Sequence, residues 1–174
     1  MNKIFALLLT AAFALTGAGA LPSDAEAPTA DLVDISGVVT MLTEDALLIT
    51  TDDGQQVQAN LDGDTLMEIS IPGQDGLAVG DYVYVIYDGI MTRSLPGQIY
   101  AQTVRATAFD GVVSDVQKDS FSLTRDDGEL VIVNATEALM ADVTNGARLR
   151  VYFSGAMTMS LPTQIGATYI VKLP

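Results

Sequence analysis

The sequence predicts an all-β protein built from two copies of one five-stranded unit. Three observations predict it. First, the segment Gly89-Ile90-Met91-Thr92-Arg93-Ser94-Leu95-Pro96-Gly97-Gln98-Ile99-Tyr100-Ala101 returns as Gly155-Ala156-Met157-Thr158-Met159-Ser160-Leu161-Pro162-Thr163-Gln164-Ile165-Gly166-Ala167, with nine of thirteen positions identical. Unrelated segments would share about one at ordinary residue usage. An internal repeat decides architecture before any local reading does. Second, Asp52-Asp53-Gly54 and Asp126-Asp127-Gly128 each separate two short apolar runs. Asp-Gly tolerates positive φ, and between apolar runs it signals a tight hairpin. Third, Tyr82-Val83-Tyr84-Val85-Ile86-Tyr87 is aromatic and β-branched throughout, the composition of a well-buried strand.

Other matches keep their order along the chain. Gly37-Val38-Val39 matches Gly111-Val112-Val113, and Asn60 matches Asn134, both at an offset of 74. Leu66-Met67 matches Leu139-Met140 at 73, and Gly80 matches Gly146 at 66. The falling offset places a shortening in the middle of the second copy. In copy one the strands are expected at 35–42, 46–51, 55–60, 82–87 and 98–106. In copy two they are expected at 109–116, 120–125, 129–134, 148–154 and 164–172. Between third and fourth strands lie 61–80 and 135–146. Thr136-Glu137-Ala138-Leu139-Met140-Ala141 suits a helical turn, and no helix extends from Ile69-Ser70-Ile71 past Pro72. Residues 98–116 alternate almost continuously, interrupted around Ala106-Thr107-Ala108, so the last strand of copy one should pass directly into the first of copy two, giving a rigid pair.

Five strands with a variable insert between the third and fourth resemble the OB-fold, a small Greek-key barrel. The resemblance covers each copy and implies two tandem five-stranded OB-like barrels, with a single β-sandwich of pseudo-two-fold symmetry as the alternative. The repeated Met-Thr-x-Ser-Leu-Pro-x-Gln-Ile element is also similar to repeats of uncharacterised secreted proteins of Gram-positive bacteria. That similarity implies export and tandem small barrels, and no activity.

The first twenty residues read as an export signal. Lys3 gives a positive start, residues 4–15 are apolar but for Thr10, and Ala18-Gly19-Ala20 is a small-x-small cleavage site. The run is shorter than the ~20 apolar residues of a membrane span. Residues 21–31 are small and acidic with two prolines, a flexible leader. The expected organisation is therefore signal 1–20, leader 21–31, repeat one 32–106 and repeat two 107–174. The mature protein should be secreted or extracytoplasmic, with no membrane insertion after cleavage.

The chain of 174 residues carries 8 Lys and Arg against 22 Asp and Glu. Removing residues 1–20 takes away one lysine and no acid, leaving 7 − 22 = −15. Such a surface repels the phosphates of nucleic acids and of anionic membranes. It favours solubility and attracts cations.

The chain holds no His and no Cys. That removes His- and Cys-dependent catalysis, His or Cys metal sites and thiol redox chemistry. Lys118 and Lys172 lie in no nucleophile motif and read as surface charges. No cofactor is expected. The acidic turns at Asp52 and Asp126, with Asp62 and Asp64, are candidate calcium ligands, but calcium wants six to eight oxygens and the EF-hand spacing is not met. A hairpin role explains the turns more simply. A hydrolase using paired carboxylates would need two of them flanking a cleft.

The repeated loop between fourth and fifth strands is the candidate contact site, with Met91, Thr92, Arg93, Ser94 and Gln98 in copy one and Met157, Thr158, Ser160 and Gln164 in copy two. A structural reading has Leu95/Leu161 and Ile99/Ile165 plug the barrel end. Pro96/Pro162 would fix the corner, and Ser94/Ser160 and Gln98/Gln164 would bond open backbone groups. A functional reading has the Met, Thr and Gln pairs form an adaptable patch. Arg93 becomes Met159, so only copy one is charged there. Tyr82 and Tyr84 share a face, suited to covering a sheet or to stacking a ligand. The expected function is a secreted non-enzymatic binding module for a protein or cell-envelope partner; a cation or small-ligand binder is the alternative.

Overall fold

Alternating apolar residues give nearly every strand one buried face, and the pairings follow from that pattern. The computed structural model describes residues 31–174; the expected signal and all of the expected leader but Asp31 lie outside the described residues. The first half contains β1 (Val33–Leu42), β2 (Ala46–Thr50), β3 (Gln56–Asn60), β4 (Leu66–Ser70), β5 (Tyr82–Tyr87) and β6 (Gly97–Tyr100). A long strand, β7 (Thr103–Ser114), leads into β8 (Ser120–Arg125), β9 (Leu130–Asn134), α1 (Glu137–Met140), β10 (Arg148–Met157) and β11 (Thr163–Lys172). Among the described residues no helix is long and apolar enough to cross a membrane.

The protein is all-β and contains a closed five-stranded barrel. Strand β7 pairs β8, β8 pairs β9, β9 pairs β11 in parallel, β11 pairs β10, and β10 returns to β7. Inside it lie Val113, Phe121, Leu123, Val131, Val133, Leu149, Val151, Phe153 and Ile165. The remaining strands join through the beginning of β7: β7 to β5, β5 to β1, β1 to β2, β2 to β3, and β3 to β6 in parallel. Val39, Leu47, Ile49, Val57, Val83, Val85, Ile99 and Val104 are buried among them.

Two elements differ from expectation. Strand β4, parallel to β7, was not foreseen. Leu66 and Met67 are adjacent and both exposed, so it lacks the alternation that marks a strand. The last strand of copy one is split. Its first part, β6, pairs β3; then the Ala101 N–H donates to the Asn60 carbonyl (3.0 Å) and the Gln102 N–H to the Ile86 carbonyl (2.8 Å). The chain changes partner from β3 to β5 within two residues, and regular pairing lapses there. Beyond it β7 runs unbroken through residues 106 and 107, the expected boundary between repeats.

Gly37 and Gly111 occupy equivalent tight places. A Cβ on Gly37 would stand 2.4 Å from the Thr50 carbonyl oxygen, and one on Gly111 2.5 Å from that of Thr124. Both pairs sit at the offset of 74. The matching glycines thus mark a close approach of backbones.

The two halves are joined by polar contacts as well as by β7. Asp81 and Tyr152 are both buried, and the Tyr152 hydroxyl donates to the Asp81 carboxylate at 2.7 Å. The Ala78 N–H donates to its other oxygen, also at 2.7 Å. Arg150 grips Asp110 on the facing strand with two bonds of 2.8 Å and donates to the Pro72 carbonyl at 2.7 Å. Tyr82 stacks on Tyr169 with ring centres 5.4 Å apart, and the Tyr84 hydroxyl bonds Thr168. Tyr82 therefore lies buried under the second half, and Tyr84 is half-buried with its hydroxyl bonded across the join.

Burial, with the charge of Asp52 beside its hydroxyl, pushes the Tyr82 phenol up to about 12. Burial and the Asp81 carboxylate raise Tyr152 as well. An unfolded phenol loses its proton near pH 10. These groups therefore support the fold fully below about pH 10, and their contribution drains away as pH climbs toward 12. Urea midpoints should fall between about pH 9 and pH 11, and Tyr82→Phe should flatten that fall. An unchanged slope in the variant would contradict this account.

Candidate functional site

Each repeated loop is closed by a relay of bonds through its own hydroxyls. In loop one, the Gln98 main-chain N–H donates to Thr92 Oγ1 at 2.9 Å. Thr92 Oγ1 lies 2.7 Å from Ser94 Oγ, which donates to the Pro96 carbonyl at 2.7 Å. Since the serine's single proton goes to Pro96, the threonine donates to the serine. Loop two repeats the relay: Gln164 N–H to Thr158 at 2.9 Å, Thr158 to Ser160 at 2.7 Å, Ser160 to Pro162 at 2.8 Å. A backbone bond closes each base, from Thr92 N–H to Gln98 at 2.9 Å and from Thr158 N–H to Gln164 at 3.0 Å. Both Leu–Pro peptide bonds are cis.

This geometry corrects part of the structural expectation. Ile99 and Ile165 are buried and do plug the interior, and the serines do bond the corner backbone. Leu95 and Leu161 do not plug the barrel end: they are 99% and 95% exposed. Each sits at the apex of a turn that its own hydroxyls close, so its side chain is carried outward. Among the described residues the side chains of Gln98 and Gln164 form no hydrogen bond; the bonds are made by their main-chain groups. The hydroxyls of Thr92 and Thr158 are consumed inside the loops. The outward faces are therefore apolar, formed by Leu95, Ile90 and part of Met91 in loop one, and by Leu161, Met159 and Met157 in loop two. Leu95, Leu161, Met159 and Ile90 were missed as contact residues because an apolar side chain was assigned inward by default. Ser-Leu-Pro, a leucine between a hydroxyl donor and a turn proline, was the available signal.

The loops are not identical. A Cβ on Gly97 would lie 2.9 Å from the Met91 sulfur, so that glycine leaves room for the thioether to fold down. Thr163 fills the same place in loop two, and Met157 is the more exposed, 53% against 37% for Met91. Arg93 is exposed and forms no ion pair among the described residues.

Both loops leave the same region of the molecule. Strands β5 and β10 each run antiparallel to β7, so each loop departs toward the beginning of β7. Gly89 and Gly155, equivalent in the repeat, open the two loops with φ of +80° and +90°. Gly89 lies against Val33, and Gly155 against Arg105 and Thr107. Val33, Arg105 and Ser154, with Leu32, Asp34, Tyr84 and Ile86, line one cleft of about 410 Å³. Leu32 and Val33 are themselves exposed.

The acidic turns are hairpin turns, and their carboxylates already have partners. Gly54 and Gly128 both take φ of +83°. Asp52 accepts from the Tyr82 hydroxyl at 3.1 Å, and Asp53 from the Gln55 side chain at 2.8 Å. The Thr51 hydroxyl bond holds the exposed Asp53 below its usual value. Asp126 binds Arg148 at 2.6 Å and Asp127 binds Arg125 at 3.0 Å. Asp62 accepts the Asp64 N–H at 3.0 Å and the Thr65 hydroxyl at 3.2 Å. Among the described residues no three or more carboxylates gather into a group able to hold a metal ion. A further cleft of about 630 Å³, between β4 and the end of β10, holds the Arg105–Glu68 ion pair at 2.7 Å. A scan against protein-family models and a search of curated proteins found no match.

Proposed function

We propose that the chain is an exported, non-catalytic binding module of two OB-like barrels in tandem, presenting its two Ser-Leu-Pro loops to a protein or cell-envelope partner. The first-half strands support the tandem reading by pairing in the order of the closed barrel. Strands β1, β2, β3 and β5 stand for β7, β8, β9 and β10, while β6 and the start of β7 stand for β11. The lack of His and Cys supports the non-catalytic reading. One observation carries the binding role: the same self-bonded loop is built twice with a fully exposed leucine at its tip. Solvent exposure of a large apolar side chain does nothing for stability, and neighbouring apolar residues make it a contact patch.

Pull-down from an envelope extract with the immobilised chain from Leu21 onward tests this. A retained partner should be lost with Leu95→Ser/Leu161→Ser, while the melting temperature stays within about 2 °C, as for exposed positions generally. Equal retention by the double variant, or retention of neither envelope protein nor envelope lipid by the parent, would remove the loops from the binding role.

A further inference from the structure

We infer that the partner of the two loops is a lipid surface, on which the protein sits peripherally with both apolar tips dipped into the boundary between headgroups and acyl chains. This rests on the reading of the loops as the contact surface and names what they contact.

Four observations lead there. The tips project as far as side chains can: Leu95, Leu161 and Met159 have essentially their whole surface in water, with Ile90 71% exposed beside Leu95. The hydroxyls that such a tip would carry toward a lipid boundary are already bonded, through the relay from Gln to Thr to Ser to Pro in each loop. A hydroxyl without a partner opposes entry into an apolar layer, and this closure removes that cost. The two repeated segments, 89–101 and 155–167, hold no acid at all. With 22 acids in 174 residues, about three would be expected in those 26. Arg93, on loop one, has the length to keep its guanidinium among headgroups while its stem lies along the apolar layer. Finally, the glycines that open the two loops stand against residues of one cleft, Gly89 against Val33 and Gly155 against Arg105, and Leu32 and Val33 of that cleft are exposed apolar residues. Asp34 and Asp88 sit at the loop bases, the latter accepting the Ile90 N–H at 3.0 Å.

The shape of the surface selects lipid over protein. Two near-identical convex tips would demand two matching pockets at a fixed separation on a protein. A membrane interface accepts both at any spacing, and affinity grows with the apolar area buried. The net charge of −14 opposes approach to anionic lipid, so a neutral surface should be preferred.

Cosedimentation with large unilamellar vesicles tests the inference, using the chain from Leu21 onward so that the apolar signal segment contributes nothing. Phosphatidylcholine vesicles should carry the protein down. Leu95→Ser or Leu161→Ser should each lower the partition coefficient by about tenfold, in line with the lost apolar burial. The double variant should stay in the supernatant, with circular dichroism showing it folded. Val79→Ser, which removes an exposed apolar residue outside both loops, should bind like the parent. Adding phosphatidylglycerol should weaken binding at low salt, and high salt should restore it. Failure of the folded parent to sediment, or equal binding by the double variant, overturns the inference. If vesicles are not bound while an envelope protein is retained in a Leu95- and Leu161-dependent way, the lipid assignment falls and the binding module stands. If neither is bound, both fall.

Discussion

Replacing Asp110 by alanine is expected to be among the most damaging single changes in the protein, costing about 3–5 kcal/mol. Asp110 and Arg150 face each other across β7 and β10 and keep only 10% and 14% of their side-chain surface in water. Two bonds of 2.8 Å hold the pair, and Arg150 reaches on to the Pro72 carbonyl of the first half. Removing the carboxylate leaves a half-dry guanidinium beside the join. At roughly 2–4 °C per kcal/mol for a chain of this size, the melting temperature should drop by about 10 °C. The pair Asp110→Leu/Arg150→Met should recover most of the loss, since an apolar pair removes the desolvation cost along with the bond. If Asp110→Ala melts within about 2 °C of the parent, or if the double variant is worse than either single one, the buried pair does not act as described.

Gly37→Ala and Gly111→Ala should each cost about 2–3 kcal/mol, and by similar amounts. In both places the added methyl would meet a backbone carbonyl oxygen at 2.4 Å or 2.5 Å, and backbone cannot swing aside as a side-chain end can. Strand β1 would have to move off β2, or β7 off β8, each bringing apolar partners with it. Chemical denaturation of the two variants checks this directly. A large loss at one site with none at the other would mean that the two closest backbone approaches, equivalent by sequence, are not equivalent in tolerance.

What was readable in the residues was what depends on local pattern. The hairpins at Asp52-Asp53-Gly54 and Asp126-Asp127-Gly128 follow from the positive φ that their glycines supply, and the buried strand at Tyr82–Tyr87 from unbroken β-branched and aromatic composition. The continuity of β7 followed from near-continuous alternation, whose interruption around Ala106-Thr107-Ala108 contains neither glycine nor proline. What escaped depends on pairing at a distance. Strand β4 exists because β7 offers it an edge, and its own residues carry no alternation. The split after Tyr100 occurs where the chain exchanges β3 for β5, and Ala101-Gln102 contains neither glycine nor proline to announce it. At the candidate site, the bond from each serine to the corner backbone was readable in Ser-Leu-Pro, whereas the bond from threonine to serine was not, because the threonines read as part of a contact patch. Nor was the direction of the leucine, because the hydroxyl relay that turns it outward spans six residues and closes only once the strands are in place.

Strand β7 gives its first residues to one half and its last to the other. A duplicated gene normally leaves two pieces that can be shuffled, cut apart or inherited separately. Here the two halves share buried contacts as well as a strand. A nick at residues 106–107 would leave β5 its pairs with residues 103–105 and β10 its pairs with residues 107–112, but it would free the halves to part and wet the contacts of Asp81 with Tyr152 and of Tyr82 with Tyr169. The two halves are therefore held as one object by what is buried between them, and to separate them is to wet that join.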